Sequence, residues 1–89
     1  MPKYLTLRIM EEPNSAQQYE LQGDERLRDV VERYLREKKP GLLNSGYTVY
    51  ASTPEGTQLL NDINISVKDL IKNYGTDELL IAPGTVIFA

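Results

Sequence analysis

The chain has 89 residues, a formal net charge of −3 and 40% hydrophobic residues, so it is expected to form one domain whose modest core leaves little room for a deep catalytic cleft. It contains neither cysteine nor histidine, which excludes disulfides, thiolate metal sites and any histidine base or metal ligand. Acidic and basic residues are interspersed, which argues against a basic nucleic-acid-binding face, and no apolar run approaches the roughly 20 residues that span a membrane.

A β-hairpin is predicted at the beginning of the chain. Residues 3–10 alternate, with an apolar side chain at every second position from Leu5 to Ile9, which is typical of a half-buried strand. Residues 17–22 alternate in the same way. The residues between them, 11–15, read Glu-Glu-Pro-Asn-Ser and are rich in turn formers. They are therefore predicted to form the turn that joins two antiparallel strands.

An amphipathic helix is predicted next. The residues that fall at positions i, i+3, i+4, i+7 and i+8 and form one apolar stripe are Leu27, Val30, Val31, Tyr34 and Leu35. Asp24 is expected to accept hydrogen bonds from the amides of the first turn. The lysines at 38–39 place positive charge at the negative end of the helix, and Pro-Gly at 40–41 is expected to stop it. We expect the stripe to pack on one face of a sheet.

The middle of the chain is predicted to add two strands to that sheet. Residues 42–46 are expected to be an irregular connector. Residues 47–52 alternate between two faces and predict a third strand. Residues 53–56 read Thr-Pro-Glu-Gly and predict a turn, so residues 57–60 are expected to form a short edge strand.

A short capped helix and a last strand are predicted in the final third. Ser66 is expected to cap a helical turn, and Gly75 is expected to close it. Residues 78–82 form a compact apolar run that predicts the last strand. Pro-Gly at 83–84 breaks this strand, and the apolar residues 85–88 are expected either to add a strand or to extend freely.

This order of elements predicts an α+β fold of the β-grasp type. The first and last strands can pair in parallel at the sheet centre because the long helix supplies the crossover. The predicted domain covers residues 1–82, with a mixed sheet of four or five strands packed on the long helix, plus the short helix. Residues 83–89 form a C-terminal tail.

Three stretches resemble one family. They are Ile65-Ser66-Val67-Lys68-Asp69-Leu70, the following Asp77-Glu78-Leu79-Leu80-Ile81, and Lys38-Lys39-Pro40-Gly41 at the end of the long helix. They resemble the short-helix signature, the central strand and the helix exit of ubiquitin-like proteins, and the resemblance covers residues 3–82. Because it lacks a C-terminal diglycine, the chain resembles ubiquitin-like proteins of the prokaryotic type.

The resemblance implies a partner-binding patch on the sheet face away from the long helix. The outward positions of the predicted strands are Arg8, Thr48, Tyr50, Leu80 and Ala82. Leu80 is expected to face solvent because Leu79 and Ile81 should point to the helix. An exposed apolar residue in a central strand is typical of a partner site, although a single exposed leucine is also an ordinary surface feature.

The resemblance also draws attention to the C-terminal tail. Conjugated ubiquitin-like proteins end in Gly-Gly, which allows the terminus to enter a narrow activating enzyme without Cβ clashes. Here the last glycine is Gly84, and the sequence ends at Ala89, seven residues past Ala82. That length is similar to the arms of the family, so Gly84 and Ala89 are the candidate conjugation residues. A sulfur-carrier function, which needs a terminal diglycine, is not expected.

Three functions remain open from the sequence. The first is a protein modifier whose tail is recognised by activating and conjugating enzymes, either directly or after processing. The second is a stand-alone interaction module or accessory subunit that binds a partner non-covalently through the sheet face. The third, a small enzyme or metal protein that uses the acidic pairs Glu11-Glu12 and Asp77-Glu78, is disfavoured because these are more simply solvated loop charges.

The expected partners and location follow from these alternatives. We expect protein partners and a cytoplasmic protein. We do not expect catalytic activity, a cofactor, a metal ion, a nucleic acid or a membrane.

Overall fold

The computed structural model describes residues 3–84, which form five strands and three helices. In chain order these are β1 (Lys3–Ile9), β2 (Glu12–Leu21), α1 (Leu27–Lys38), α2 (Gly41–Ser45), β3 (Tyr47–Thr53), β4 (Gly56–Leu59), α3 (Val67–Tyr74) and β5 (Glu78–Pro83). The strand or free arm predicted at residues 85–88 lies outside the described residues.

The five strands form one mixed sheet in the order β2-β1-β5-β3-β4. Strands β1 and β5 run parallel, with Thr6 opposite Glu78 and Ile9 opposite Ile81. The other three pairs, β1 with β2, β3 with β5 and β3 with β4, are antiparallel. The predicted α+β class and the parallel pairing of the first and last strands are confirmed, and the arrangement is compatible with a β-grasp fold.

The apolar stripe of α1 packs on one face of this sheet. All five predicted stripe residues are buried. They form one cluster with the strand residues Leu5, Leu7, Ile9, Val49, Leu79 and Ile81. Tyr34 is fully buried, and its hydroxyl donates a hydrogen bond of 2.7 Å to the backbone oxygen of Ser15, so the polar tip of the ring keeps a partner inside the core. The predicted packing of helix on sheet is confirmed.

The hairpin between β1 and β2 is tighter than predicted. The turn consists of Met10 and Glu11, and β2 already begins at Glu12, so the turn predicted at residues 11–15 is wrong. Glu11 takes the left-handed conformation, with φ of 68°, that reverses the chain. The turn-forming residues that follow make a bulge in β2, where the Ser15 hydroxyl accepts a bond of 2.8 Å from the amide of Ile9.

The N-terminus of α1 is satisfied by backbone atoms and not by Asp24. The helix has no side-chain cap bond, so the predicted role of Asp24 is wrong. The amide of Leu27 instead donates to the oxygen of Ile65 at 2.9 Å, and that of Arg28 donates to the oxygen of Ile63 at 2.8 Å. These carbonyl groups take up amides that have no partner within the helix.

The first amides of α3 in turn donate to carbonyl groups of the residues before α1. Val67 donates to the oxygen of Glu25 at 3.0 Å, and Lys68 donates to the oxygen of Gly23 at 2.9 Å. Arg26 and Ser66 form an isolated antiparallel bridge between the two sets of bonds. The two helix starts therefore cap each other, which joins segments about 40 residues apart in the chain.

The short helix α3 itself follows the prediction. The Ser66 hydroxyl accepts a hydrogen bond of 3.1 Å from the amide of Asp69, as an N-cap side chain does. Gly75 ends the helix in the left-handed conformation, with φ of 67°, and donates to the oxygen of Ile71 at 2.9 Å. Both predicted boundary residues are confirmed.

The connector predicted at residues 42–46 is wrong, because α2 occupies most of it. Pro40 has φ of −61° and ψ of −22°, so the residue that stops α1 also starts the next helix. Leu42 is buried in the core and holds α2 against the domain. The amide of Gly46 donates to the oxygen of Leu42 at 2.9 Å and closes α2 immediately before β3.

Glu25 supplies a pH-dependent stability prediction. Its carboxylate accepts bonds from the amides of Gln22 (2.9 Å) and Gly23 (2.8 Å), which hold the pKa of Glu25 below its usual value of 4.5. A lowered folded-state pKa stabilises the fold above the unfolded-state value, and this contribution disappears as the pH falls through the folded-state value. We expect Glu25→Gln to lower the denaturant midpoint near pH 7, with a smaller difference from wild type below pH 4.5.

The neighbouring charge provides the control for that experiment. Asp24→Asn removes the same charge one residue earlier, without removing an acceptor of the loop amides. We expect this variant to unfold nearly as wild type does at both pH values. An equal loss in both variants would contradict the role of the Glu25 hydrogen bonds.

Candidate protein-binding surface

The sheet brings the five predicted patch residues together on the face away from α1, here called the open face. Arg8 on β1 and Tyr50 on β3 both pair directly with Leu80 on β5. Thr48 pairs with Ala82 one step further along the same strands. Neighbouring strands lie about 4.7–4.9 Å apart, so Arg8, Leu80 and Tyr50 form a continuous row across three strands.

Leu80 was predicted to face solvent, and this prediction is wrong. It lies on the open face, since it is absent from the core cluster that its neighbours Leu79 and Ile81 join, but only 6% of it is exposed. Its neighbours across the strands on either side are two long residues, Arg8 and Tyr50. Leu80 itself therefore offers little surface to a partner, and its half-buried neighbours Arg8 and Tyr50 offer the accessible surface.

Arg8 adds a charged border to this accessible surface. Its Nη2 atom lies 3.7 Å from Oε1 of Glu78, and the two side chains are 36% and 42% exposed. An ion pair so open to water stabilises the fold little, so it can exchange for other contacts at small cost. The Nε atom of Arg8 is shielded from solvent and has no hydrogen-bond partner within residues 3–84.

Two members of the open face escaped the sequence prediction. Leu59 on β4 pairs with Tyr50 and extends the apolar row to a fourth strand. Glu78 carries the counter-charge of Arg8. The turn predicted at residues 53–56 could have indicated Leu59. Thr53 pairs with Gly56, and the same register three residues further along both strands pairs Tyr50 with Leu59.

The candidate tail residue Gly84 is fixed to the end of the sheet. Its amide donates to the oxygen of Gly46 at 3.1 Å, and its own oxygen accepts a bond from the hydroxyl of Thr48. Gly84 has φ of 93°, a conformation that glycine adopts readily and other residues rarely. The second candidate tail residue, Ala89, lies outside the described residues.

The acidic pairs of the sequence do not gather into a site. Glu12 forms an ion pair with Lys39 at the end of α1, whereas Glu78 pairs with Arg8 on the open face. Within residues 3–84, no group of three or more carboxylate, cysteine or histidine side chains could hold a metal ion. No helix in the same stretch is long and apolar enough to cross a membrane.

Comparison with known proteins adds no family. No protein-family model matches the chain, and no curated protein matches its sequence significantly. The open face is therefore the feature from which a function is inferred.

Proposed function

We propose that this chain is a ubiquitin-like interaction module that binds a protein partner non-covalently through the open face of its sheet. The observation that carries the proposal is the row formed by Arg8, Leu80 and Tyr50, which Leu59 continues onto the edge strand. Arginine and tyrosine are among the residues that most often dominate binding energy at protein interfaces. The proposal retains the cytoplasmic location expected from the sequence.

The chemistry of the row defines the kind of partner. Tyr50 and Leu59 offer an apolar surface next to the nearly buried Leu80, and this surface suits an aliphatic or aromatic side chain. Arg8 lies at one end with a side chain that is 36% exposed, and its guanidinium group suits a carboxylate or carbonyl oxygen. A partner that presents an apolar anchor beside an acceptor would satisfy both features.

Photo-crosslinking in cells that produce the protein tests this proposal. Benzoylphenylalanine is incorporated in place of Tyr50 in one variant and in place of Tyr74 in the other. Tyr74 is a matched control because it is also half-buried but belongs to α3. We expect a discrete light-dependent product from position 50 and none from position 74. No product from position 50 in a folded variant, or the same product from both positions, would contradict the proposal.

A second candidate function is that of a ubiquitin-like protein modifier. The observation that favours it is the position of Gly84 at the end of the central strand β5, after which the predicted tail residues follow in the sequence. The two hydrogen bonds of Gly84 disfavour trimming at that residue, because an activating enzyme would have to break both, so Ala89 is the better candidate end. The dark control of the crosslinking experiment distinguishes this function, since a modifier would give products joined through Ala89 without irradiation.

A further inference from the structure

We propose that the outer edge of β2 is a docking site for a second copy of this chain, which adds its own β2 in antiparallel orientation to form a symmetric dimer with one continuous sheet. The proposal concerns the edge of the sheet and does not depend on the partner proposed for the open face. It is inferred from the free backbone groups of β2, from the pattern of its side chains and from the charges along α1.

One edge of the sheet is formed by β2, which pairs only with β1 among the strands of residues 3–84. Proteins commonly protect such an edge with a short strand, a proline, a bulge or a lysine, because its unpaired backbone groups can pair with another strand. The other edge strand, β4, has only four residues. In β2 the proline and the bulge lie near the start, whereas residues 17–21 pair regularly with β1 and include no lysine. This part of the edge is therefore open to strand addition.

The pairing of β1 shows which backbone groups of β2 are free. The amide of Thr6 donates to the oxygen of Asp77 at 2.9 Å, so Thr6 directs its backbone groups towards β5. In an antiparallel pair, opposed residues either face each other or both face away. Gln18, opposite Thr6, therefore directs its amide and carbonyl group out of the sheet, and Glu20, opposite Tyr4, does the same. Each of these two residues offers a donor and an acceptor at the edge.

The side chains of β2 suit a second copy when Gln18 lies opposite the Gln18 of that copy. The two residues then exchange two backbone hydrogen bonds. Their exposed side-chain amides meet on the open face, where each can both donate and accept. Glu20 lies opposite Ala16 in this register, so the charge meets a small neutral side chain. A register centred on Glu20 would oppose like charges, which is unfavourable.

The long helix α1 runs antiparallel to β2. Just before α1 begins, Glu25 accepts bonds from the amides of Gln22 and Gly23, which follow β2. Just after α1 ends, Lys39 forms an ion pair with Glu12, the first residue of β2. The end of β2 is therefore next to the start of α1, and the start of β2 is next to the end of α1.

The two ends of α1 carry opposite charges that favour an antiparallel second copy. Asp29 is the acidic residue of the first turn, and Lys38 is a basic residue of the last turn. Asp29 and Leu21 line one pocket, and Lys38 and Ser15 line another. Pairing around Gln18 brings residue 21 of one copy level with residue 15 of the other, so the acidic end of one helix is beside the basic end of its counterpart. This complementarity orients the two copies and weakens as salt is added.

Sedimentation velocity of the purified full chain over a range of concentrations tests the dimer. We expect the wild type to associate reversibly into a dimer. Gln18→Pro should weaken that association several-fold or abolish it, because proline removes the amide that points out of the edge. A wild-type chain that stays monomeric up to about 1 mM would overturn the proposal.

Thr57→Pro is the matched control at the other edge. The amide of Leu60 donates to the oxygen of Val49 on β3, so the amide of Thr57, three residues earlier, points away from β3. Thr57 is exposed, and its replacement should leave the association as in the wild type. Equal effects of the two proline substitutions, or an effect of Thr57→Pro alone, would overturn the assignment of the interface to β2.

Charge substitutions at the same position test the register without a proline in the strand. Gln18→Lys and Gln18→Glu each oppose like charges across the symmetry axis, so each variant alone should be monomeric at concentrations where the wild type is dimeric. An equimolar mixture should restore the dimer, because opposite charges then face each other. A dimer that persists in either variant alone, or a mixture of folded variants that stays monomeric, would overturn the pairing of Gln18 with itself.

Photo-crosslinking distinguishes a second copy from another protein. With benzoylphenylalanine in place of Gln18, we expect a light-dependent product with twice the mass of the chain. Products with other proteins and none with the chain itself would overturn the second copy as the occupant of this edge. A dimer in a chain that gives no product from position 50 would overturn the interaction module and leave this proposal standing.

Discussion

Leu79→Ala is expected to lower the free energy of unfolding by about 2–5 kcal/mol. Leu79 is fully buried on β5, where it lies between Leu7 of β1 and Ala51 of β3 and belongs to the cluster beneath α1. Truncation removes the transfer free energy of the side chain and leaves a cavity, which the central strand of a sheet can close only partly. The loss is a large fraction of the total stability of a domain of this size.

The adjacent residue provides the control for this prediction. Leu80→Ala makes the same chemical change one position later, on the opposite face of the same strand. We expect it to cost about 1–2 kcal/mol, because Leu80 is buried against flanking side chains and not in the cluster beneath α1. Urea denaturation of both variants, read at the midpoint with the slope compared to wild type, measures the difference. Equal losses would contradict the assignment of Leu80 to the open face, outside the core cluster.

Features that depend on a few neighbouring residues were predictable from the sequence. The stripe from Leu27 to Leu35 follows from the helical period alone, and the structure buries every member. The boundaries of α3 follow from a serine cap and a glycine that accepts positive φ, and both residues act as expected. Local chemistry and tertiary packing agree at these positions, which is why the pattern was sufficient.

Features that depend on distant backbone were not predictable. Asp24 has the right chemistry for a cap, but the amides of Leu27 and Arg28 bind carbonyl groups of residues 63–65 instead. Those carbonyl groups reach α1 only after the sheet has formed. A side-chain preference worth about 1 kcal/mol gives way when the fold supplies backbone acceptors at the same place.

Turn-forming residues gave rise to two wrong predictions, the turn at residues 11–15 and the irregular connector at residues 42–46, for a related reason. Pro13 and Asn14 can form a turn, but Glu11 accepts positive φ and reverses the chain first, so they lie in a bulge of β2. Pro40 ends α1 as predicted but also begins α2, because a φ near −65° suits the first turn of a helix. Each residue type is compatible with two local structures, and contacts elsewhere select between them.

The sequence predicted which residues share the open face but not how exposed each of them is. The alternation of each strand placed Arg8, Tyr50 and Leu80 on one face, and the sheet confirms that placement. The sequence could not give the depth of Leu80, because exposure depends on which long side chains the strand register sets beside it. Leu80 is only 6% exposed, and its partners across the strands are the large residues Arg8 and Tyr50.

Tyr50→Ala is expected to weaken binding of the partner captured at that position by about 30-fold or more, since an interface anchor contributes roughly 2 kcal/mol and 1.4 kcal/mol corresponds to a factor of ten. Tyr50 lies between Leu80 and Leu59, so its truncation opens the middle of the apolar row. The side chain is only half-buried, and the fold should therefore survive its removal. Isothermal titration calorimetry with the purified partner measures the loss.

Two further substitutions define what that loss would mean. Tyr50→Phe retains the ring, so affinity within about threefold of wild type would assign the binding energy to apolar contact, whereas a loss as large as that of Tyr50→Ala would assign it to the hydroxyl group. Tyr74→Ala, on α3, should leave the affinity unchanged when the variant is folded. If Tyr74→Ala weakens binding as much as Tyr50→Ala does, the partner does not distinguish the open face from the helical side, and the interaction surface lies elsewhere on the domain.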